Sequence, residues 1–146
     1  MTVLVAVDRE EDARGVLEEG ERLAKQFDED LVVVHVLTRK EFVNLERTSV
    51  SATDEVVDPD EVRDIAAELA DELAEAVLDD YTPVDAVGDP AGEVLTLARK
   101  HDASYVIIGI RKRSAVGKAV FGSTAQDILM SSDRSVVVVP REKRAE

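Results

Sequence analysis

The chain has no cysteine and no tryptophan in its 146 residues. Without cysteine there is no disulfide, no thiolate metal site and no sulfur nucleophile. The two histidines, His35 and His101, are too few and too far apart for a zinc-ligand pattern. Aromatic residues make up 3% of the composition, which leaves no stacking platform for single-stranded nucleic acid. Positive charge is short as well: 18 Lys and Arg stand against 32 Asp and Glu, a formal net charge of −14. Such a surface repels duplex DNA and anionic membranes, so neither is an expected partner. No apolar stretch approaches the ~20 residues that span a bilayer. The chain enters a strand-like run by its third residue, which leaves no room for a signal peptide. The expectation is a cytoplasmic protein.

What is present is a chain of single-domain length, 45% hydrophobic, long enough to bury a core. Of its 18 basic residues 12 are Arg, so lysine is scarce where carboxylate is abundant. That balance fits a protein kept soluble in molar salt, where ions screen self-repulsion, and a halophilic source is the expectation.

Short apolar runs alternate with amphipathic segments. VLVAV (3–7), LVVVHVL (31–37), VDAV (84–87), YVIIGI (105–110) and VVVV (136–139) read as strands, most of them apolar enough to be covered on both faces. Ala13, Val16, Leu17, Leu23, Ala24 and Phe27 form one helical stripe. Val62, Ile65, Ala66, Leu69, Leu73, Ala76 and Val77 form another after an Asp58-Pro59 start signal. Asp89-Pro90 opens a third helix through Val94, Leu95 and Ala98, and a fourth begins near Ser123. This alternation specifies a three-layer α/β domain with a mostly parallel open sheet. Residues 1–146 form one domain, residues 38–57 a long variable connection holding a mobile flap or a short helix, and residues 141–146 a charged tail.

In open α/β sheets a ligand binds at the carboxyl ends of the strands, where the strand order reverses. Asp8 ends the first strand and Gly109 the fourth. Residues 109–124, GIRKRSAVGKAVFGST, leave the sheet there with four basic side chains, Arg111, Lys112, Arg113 and Lys118, and no acidic one. Gly122, Ser123 and Thr124 precede an apolar-periodic stretch, so their N–H groups fall at a helix start, which suits phosphate. Plainer roles compete. Ser123 and Gln126 fit a Ser-x-x-Gln capping box, the basic side chains fit pairing with acidic neighbours, and Asp8 fits a cap for the first helix. His35 fits a satisfied core residue and His101 a helix C-terminal residue favoured by the dipole.

Several motifs fail. A Walker A loop needs glycine at position 112 and Ser or Thr at 119, where the chain has Lys112 and Ala119. No Gly-x-Gly-x-x-Gly follows the first strand. A phospho-receiver would need a lysine ending the fifth strand, which ends Val139-Pro140-Arg141. No Ser/His/Asp grouping or carboxylate pair marks a hydrolase.

VAVD, VVVHV, VGDPAGEVLTLARKHDASYVIIGIRKRS and FGSTAQDIL followed by SVVVVP together resemble the universal stress protein family over nearly all of the chain except about 39–57. The family's nucleotide pattern is a glycine, two residues, a second glycine, nine residues, then Gly and Ser or Thr. Gly109, position 112 and Gly122-Ser123 keep that spacing. The resemblance implies five parallel strands in order 3-2-1-4-5, the adenine nucleotide alpha-hydrolase-like arrangement. It also implies a homodimer and, in many members, bound ATP or a related adenine nucleotide, with Mg²⁺ as its companion. By position, Asp8 and the backbone of Val36 would hold the adenosine end. Gly109 and Arg111 would lie beside the ribose and phosphates, and Gly122, Ser123 and Thr124 would receive the phosphates. Lys112 stands where the family has its second glycine. A left-handed backbone there would cost a lysine roughly 1–2 kcal/mol, whereas its ammonium beside a phosphate contributes about 1.5–3 kcal/mol.

The last strand, Val136, Val137, Val138 and Val139, lies at a sheet edge in that order, and an apolar edge invites pairing with a second copy. Three functions compete. One is a stress-response regulator that senses an adenine nucleotide, with slow hydrolysis at most. Another is a dimeric protein-interaction module without nucleotide, and the third is a small hydrolase or transferase using Asp8 and Mg²⁺. The acid excess itself predicts that the thermal midpoint rises between dilute buffer and molar KCl; a midpoint that stays level or falls refutes the salt adaptation.

Overall fold

The computed structural model describes residues 1–7, 13–44, 59–112, 119–120 and 122–141. β1 (Thr2–Ala6), β2 (Asp30–Leu37), β3 (Thr82–Val87), β4 (Ala103–Lys112) and β6 (Ser135–Arg141) run parallel in the order β3-β2-β1-β4-β6. Counting these long strands alone, the order is 3-2-1-4-5, as expected. A sixth strand, β5 (Ala119–Val120), was not foreseen; it pairs antiparallel with Arg111 and Lys112 at the far end of β4. β4 is accordingly longer than the apolar run YVIIGI, because β5 and β6 together extend its pairing to Lys112.

Among the described residues four helices cover the sheet: α1 (Arg14–Phe27), α2 (Pro59–Glu75), α3 (Pro90–Lys100) and α4 (Ser123–Ser131). Alternate side chains of each strand go to opposite faces, which divides the core in two. Val3, Val5, Leu31 and Val33 pack with Val16 and Leu17 of α1 and with Ala70 and Ala74 of α2. Leu4, Val32, Val34 and Val106 pack with Val94, Leu95 and Ala98 of α3 and with Ile128 of α4. Placing α1 and α2 on one face and α3 and α4 on the other is what right-handed crossovers on either side of β1 produce. In α2, the small residues Ala66, Ala70 and Ala74 recur every fourth position and are fully buried, so the helix backbone lies close against the sheet.

The helix ends follow local chemistry. Asp89 is the N-cap of α3, its carboxylate accepting from the Gly92 N–H at 3.0 Å, with Pro90 at the first helical position. α1 closes on Asp28 in the left-handed conformation, φ 52°, and the Asp28 N–H returns to Lys25 O. α2 stops at Glu75, short of the stripe read through Ala76 and Val77. The N–H groups of Val77 and Leu78 both return to Ala74 O, which tightens the last turn and ends the helix. Phe27 is 49% exposed rather than core and stacks on Tyr105 with ring centroids 5.7 Å apart. Residues 39–44 form a short helix within the connection after β2.

Two positions on α1 make the packing testable. A Cβ on Gly20 would overlap Val5 Cγ2, whereas one on Gly15 meets only Val139 Cγ1 at 3.9 Å. Alanine gains about 0.5–1 kcal/mol over glycine in a helix, but forcing a methyl into a full core costs roughly 1–3 kcal/mol. Gly15→Ala should therefore raise the thermal midpoint and Gly20→Ala should lower it. Calorimetry showing both changes with the same sign rejects this account. A second test concerns Tyr81, whose hydroxyl donates to the Asp71 carboxylate. Burial, then that hydrogen bond and the carboxylate charge, push the phenol up to about 12 from 10.0. A raised folded-state value means the contribution to stability is full below pH 10 and is lost as pH climbs from 10 to 12. Absorbance at 295 nm should show one phenolate forming near pH 12 that Tyr81→Phe removes; ionisation at the ordinary value would contradict the part-buried pairing with Asp71.

Candidate functional site

β1 and β4 pair as far as Val5 and Ile107, after which β1 ends and β4 continues. The sheet parts there, at the carboxyl ends of the strands, because the chain turns to opposite faces after these two neighbours. An open cavity of about 460 Å³ occupies the gap, within the range of roughly 300–1,000 Å³ typical of small-molecule sites. Its floor is Ala6 and Val7 of the β1 end, Val34, His35 and Val36 of β2, and Ile108, Gly109 and Ile110 of β4. Ala13 and Val16 close it on the α1 side, Pro90 and Val94 on the α3 side. Gly122, Ser123, Thr124, Ala125 and Ile128 bring in the start of α4.

The start of α4 is built differently from that of α3. Gly122 is the N-cap, with φ −69° and ψ 166°, and no side chain caps the turn. The first helical bond is Gln126 N–H to Gly122 O at 3.0 Å. The N–H groups of Ser123, Thr124 and Ala125 thus precede any intrahelical acceptor and stand at the positive end of the dipole. This corrects the Ser123/Gln126 capping box expected from the sequence. A glycine takes the extended N-cap conformation, which moves Ser123 to the first helical position, where its hydroxyl does not cap. Gly122 itself is exposed, with open space where a Cβ would project.

The structure therefore brings together Val36, Gly109, Gly122, Ser123 and Thr124 of the expected site. Asp8, Arg113 and Lys118 lie outside the described residues, as does most of the basic loop. Arg111 and Lys112 are described by their backbone, in β4 opposite Val120 and Ala119. Among the described residues the non-glycine positive φ values belong to Asp28 and Asp102. Lys112 is thus extended, and the left-handed cost weighed for a lysine at that position does not arise.

His35 is buried, 6% exposed, and its Nδ1 lies 3.0 Å from Val7 O. A carbonyl only accepts, so Nδ1 carries the proton and Nε2 is left as an acceptor. Among the described residues Nε2 is buried without a partner. The expected satisfied core histidine is thus satisfied on one side only. An unpaired buried acceptor costs about 1–3 kcal/mol, so the position is held against a penalty.

Two polar side chains of the cavity carry no role in the sequence reading. Thr38 and Glu41 stand at the mouth and cap the short helix: Thr38 Oγ1 donates to the Glu41 carboxylate at 3.1 Å, and the Glu41 N–H donates to Thr38 Oγ1 at 3.2 Å. The signal was present as Thr-x-x-Glu, a capping-box spacing. His101 sits at the C-cap of α3, its N–H returning to Leu97 O. Val136 to Val139 are half-buried in β6, whose outer edge pairs with no strand among the described residues. No helix among those residues is long and apolar enough to cross a membrane.

The model of the universal stress protein family matches residues 1–140. A universal stress protein of Mycolicibacterium smegmatis (strain ATCC 700084 / mc(2)155) is 30% identical over 137 residues, 94% of this chain and 95% of that protein. A universal stress protein solved in complex with cAMP superposes with a TM-score of 0.60 at 16% identity, covering 96% of each chain. One from Archaeoglobus fulgidus, in complex with dAMP, gives 0.55 at 19% identity, covering 95% of this chain and 97% of that one. These solved structures share the fold described above.

Proposed function

The chain belongs to the universal stress protein family, and from that premise we propose that the crevice between β1 and β4 receives ATP or a related adenine nucleotide. The observation that carries the reading is the uncapped start of α4. Three consecutive residues, Ser123, Thr124 and Ala125, carry free helix-start N–H groups and line a cavity whose lining is otherwise largely apolar and includes Val36. Apolar walls suit a purine and ribose; bare amides at a helix start suit phosphate. Relatives of the same fold hold cAMP and dAMP. Asp8 and Val36 serve the adenosine end, Gly109, Arg111 and Lys112 flank the ribose and phosphates, and a triphosphate would arrive with its Mg²⁺.

Binding rather than turnover is the better reading. The titratable side chains lining the cavity among the described residues are His35 and Glu41. The first is tied to Val7 O and the second to Thr38. On this reading the protein is a nucleotide-responsive regulator in the cytoplasm, with slow hydrolysis at most. Assembly belongs to the same reading. Four consecutive valines in an edge strand remain half-buried, and Met130, 81% exposed, lies on the helix that leads into it. A two-fold pairing through Val136–Val139 covers that surface.

Ser123→Pro tests the phosphate end. Proline is at home at the first helical position, and Gly122 already has the extended conformation that a residue before proline needs. The substitution removes one N–H donor and keeps the helix. At 100 times its Kd, ATP should stabilise the native protein by about 2.7 kcal/mol, read as a rise of several degrees in the melting temperature. Ser123→Pro should weaken ATP by about tenfold or more with an unchanged midpoint in the free protein. If neither ATP, AMP nor cAMP moves the midpoint, and no nucleotide is released on denaturing the purified protein, the nucleotide-free interaction module replaces this reading. Light scattering should give a dimer mass that Val138→Lys halves; a monomeric parent protein removes the pairing.

A further inference from the structure

The end of β1 is tied to β2 irregularly. In a parallel ladder carried one residue further, the Val7 N–H would donate to Val34 O and the Val36 N–H would donate to Val7 O. The first bond is present at 2.9 Å. The second is not among the backbone bonds of the described residues. Val7 O accepts instead from the His35 imidazole, Nδ1 at 3.0 Å. Successive residues of a strand turn their N–H and C=O groups to opposite sides. Val34 O faces β1, while Leu37 O faces β3 and accepts there from the Gly88 N–H at 2.8 Å. The N–H of Val36 therefore faces the β1 side, where Val7 and Val36 both line the cavity.

We infer that His35 is a positioning residue for base recognition: its imidazole takes the Val7 carbonyl, so the ladder stops one bond early and the Val36 N–H is kept for an acceptor nitrogen of a purine ring. This rests on the nucleotide reading above. It accounts for three observations together. A histidine stands in the otherwise apolar run LVVVHVL. His35 is 6% exposed although its Nε2 has no partner among the described residues, so burial alone does not favour it there. Its one hydrogen bond goes to the backbone atom that would otherwise engage Val36. An aliphatic side chain would remove the Nε2 penalty but would let β1 and β2 zip past the crevice floor. Asparagine, by contrast, places an amide nitrogen as many bonds from the backbone as Nδ1 and can donate to the same carbonyl.

The test uses the full chain. In the nucleotide-free protein, amide hydrogen exchange followed by NMR should show Val36 exchanging at least tenfold faster than Val34 and Leu37. The ¹⁵N shifts of His35 should report the Nδ1–H tautomer. His35→Leu should slow Val36 exchange to that of its neighbours, and His35→Asn should leave it fast. By calorimetry, His35→Leu should weaken AMP about tenfold or more while leaving inorganic tripolyphosphate unchanged, and His35→Asn should stay within about threefold of the parent on both. A slow Val36 amide or an Nε2–H tautomer in the parent protein overturns the proposal, measurements that need no variant to fold. Leu and Asn variants that behave alike overturn it too. If the parent protein binds no adenine nucleotide, the nucleotide reading and the base contact fall together. The exchange result then still decides whether His35 ends the ladder.

Discussion

Two neighbouring strands that share a ladder through Val5 and Ile107 and then part are the constraint on which the rest depends. Their parting is a matter of handedness before it is a matter of any particular side chain. The chain leaves β1 toward one face of the sheet, while the helices flanking β4 in sequence, α3 and α4, lie on the other. None of the described residues fills the wedge between them. The strands themselves are nearly solid, with Val3, Leu4, Val5, Val106 and Ile107 at 0% exposure, so the gap opens from a rigid base. A rigid base matters for recognition, because groups that do not move lose little freedom when a partner is held.

The charge of the molecule makes the character of this gap informative. A chain of formal net charge −14 repels anions at long range. At physiological ionic strength that repulsion fades beyond about 8 Å, while amides in contact with a bound group are not screened. The α4 start offers short-range, uncharged donors, and it does so because a glycine rather than an aspartate holds the N-cap. The chain does use aspartate for the neighbouring helix, where Asp89 consumes a donor itself. The contrast lies in two residues with opposite consequences: one helix end is finished internally, the other left open toward the crevice.

Much of this architecture is legible in the sequence because it rests on periodicity. Runs such as LVVVHVL and YVIIGI belong to strands covered on both faces, and Asp89-Pro90 announces a helix by two independent effects. The crevice too is legible in outline, since Val36, Gly109 and Gly122 to Thr124 do converge. What escapes is whatever depends on a single residue of offset or on a partner distant in sequence. The N-cap lies at Gly122 instead of Ser123, a difference that turn geometry decides and composition does not. β5 is two residues long and exists only because β4 overhangs its neighbour there. The bond from His35 to Val7 spans 28 positions, and no local pattern distinguishes it from an ordinary buried histidine.

β4 has two edges in use at once. Along Gly109, Ile110 and Arg111 one edge is ribboned to Val139, Pro140 and Arg141 of β6, while Gly109 and Ile110 also form the wall of the crevice. The outermost strand and the cavity are thus separated by the width of one extended backbone. A load applied to the rim of the sheet reaches the cavity wall without crossing any side-chain core. Whatever touches the outermost strand therefore lies one backbone away from whatever the cavity holds.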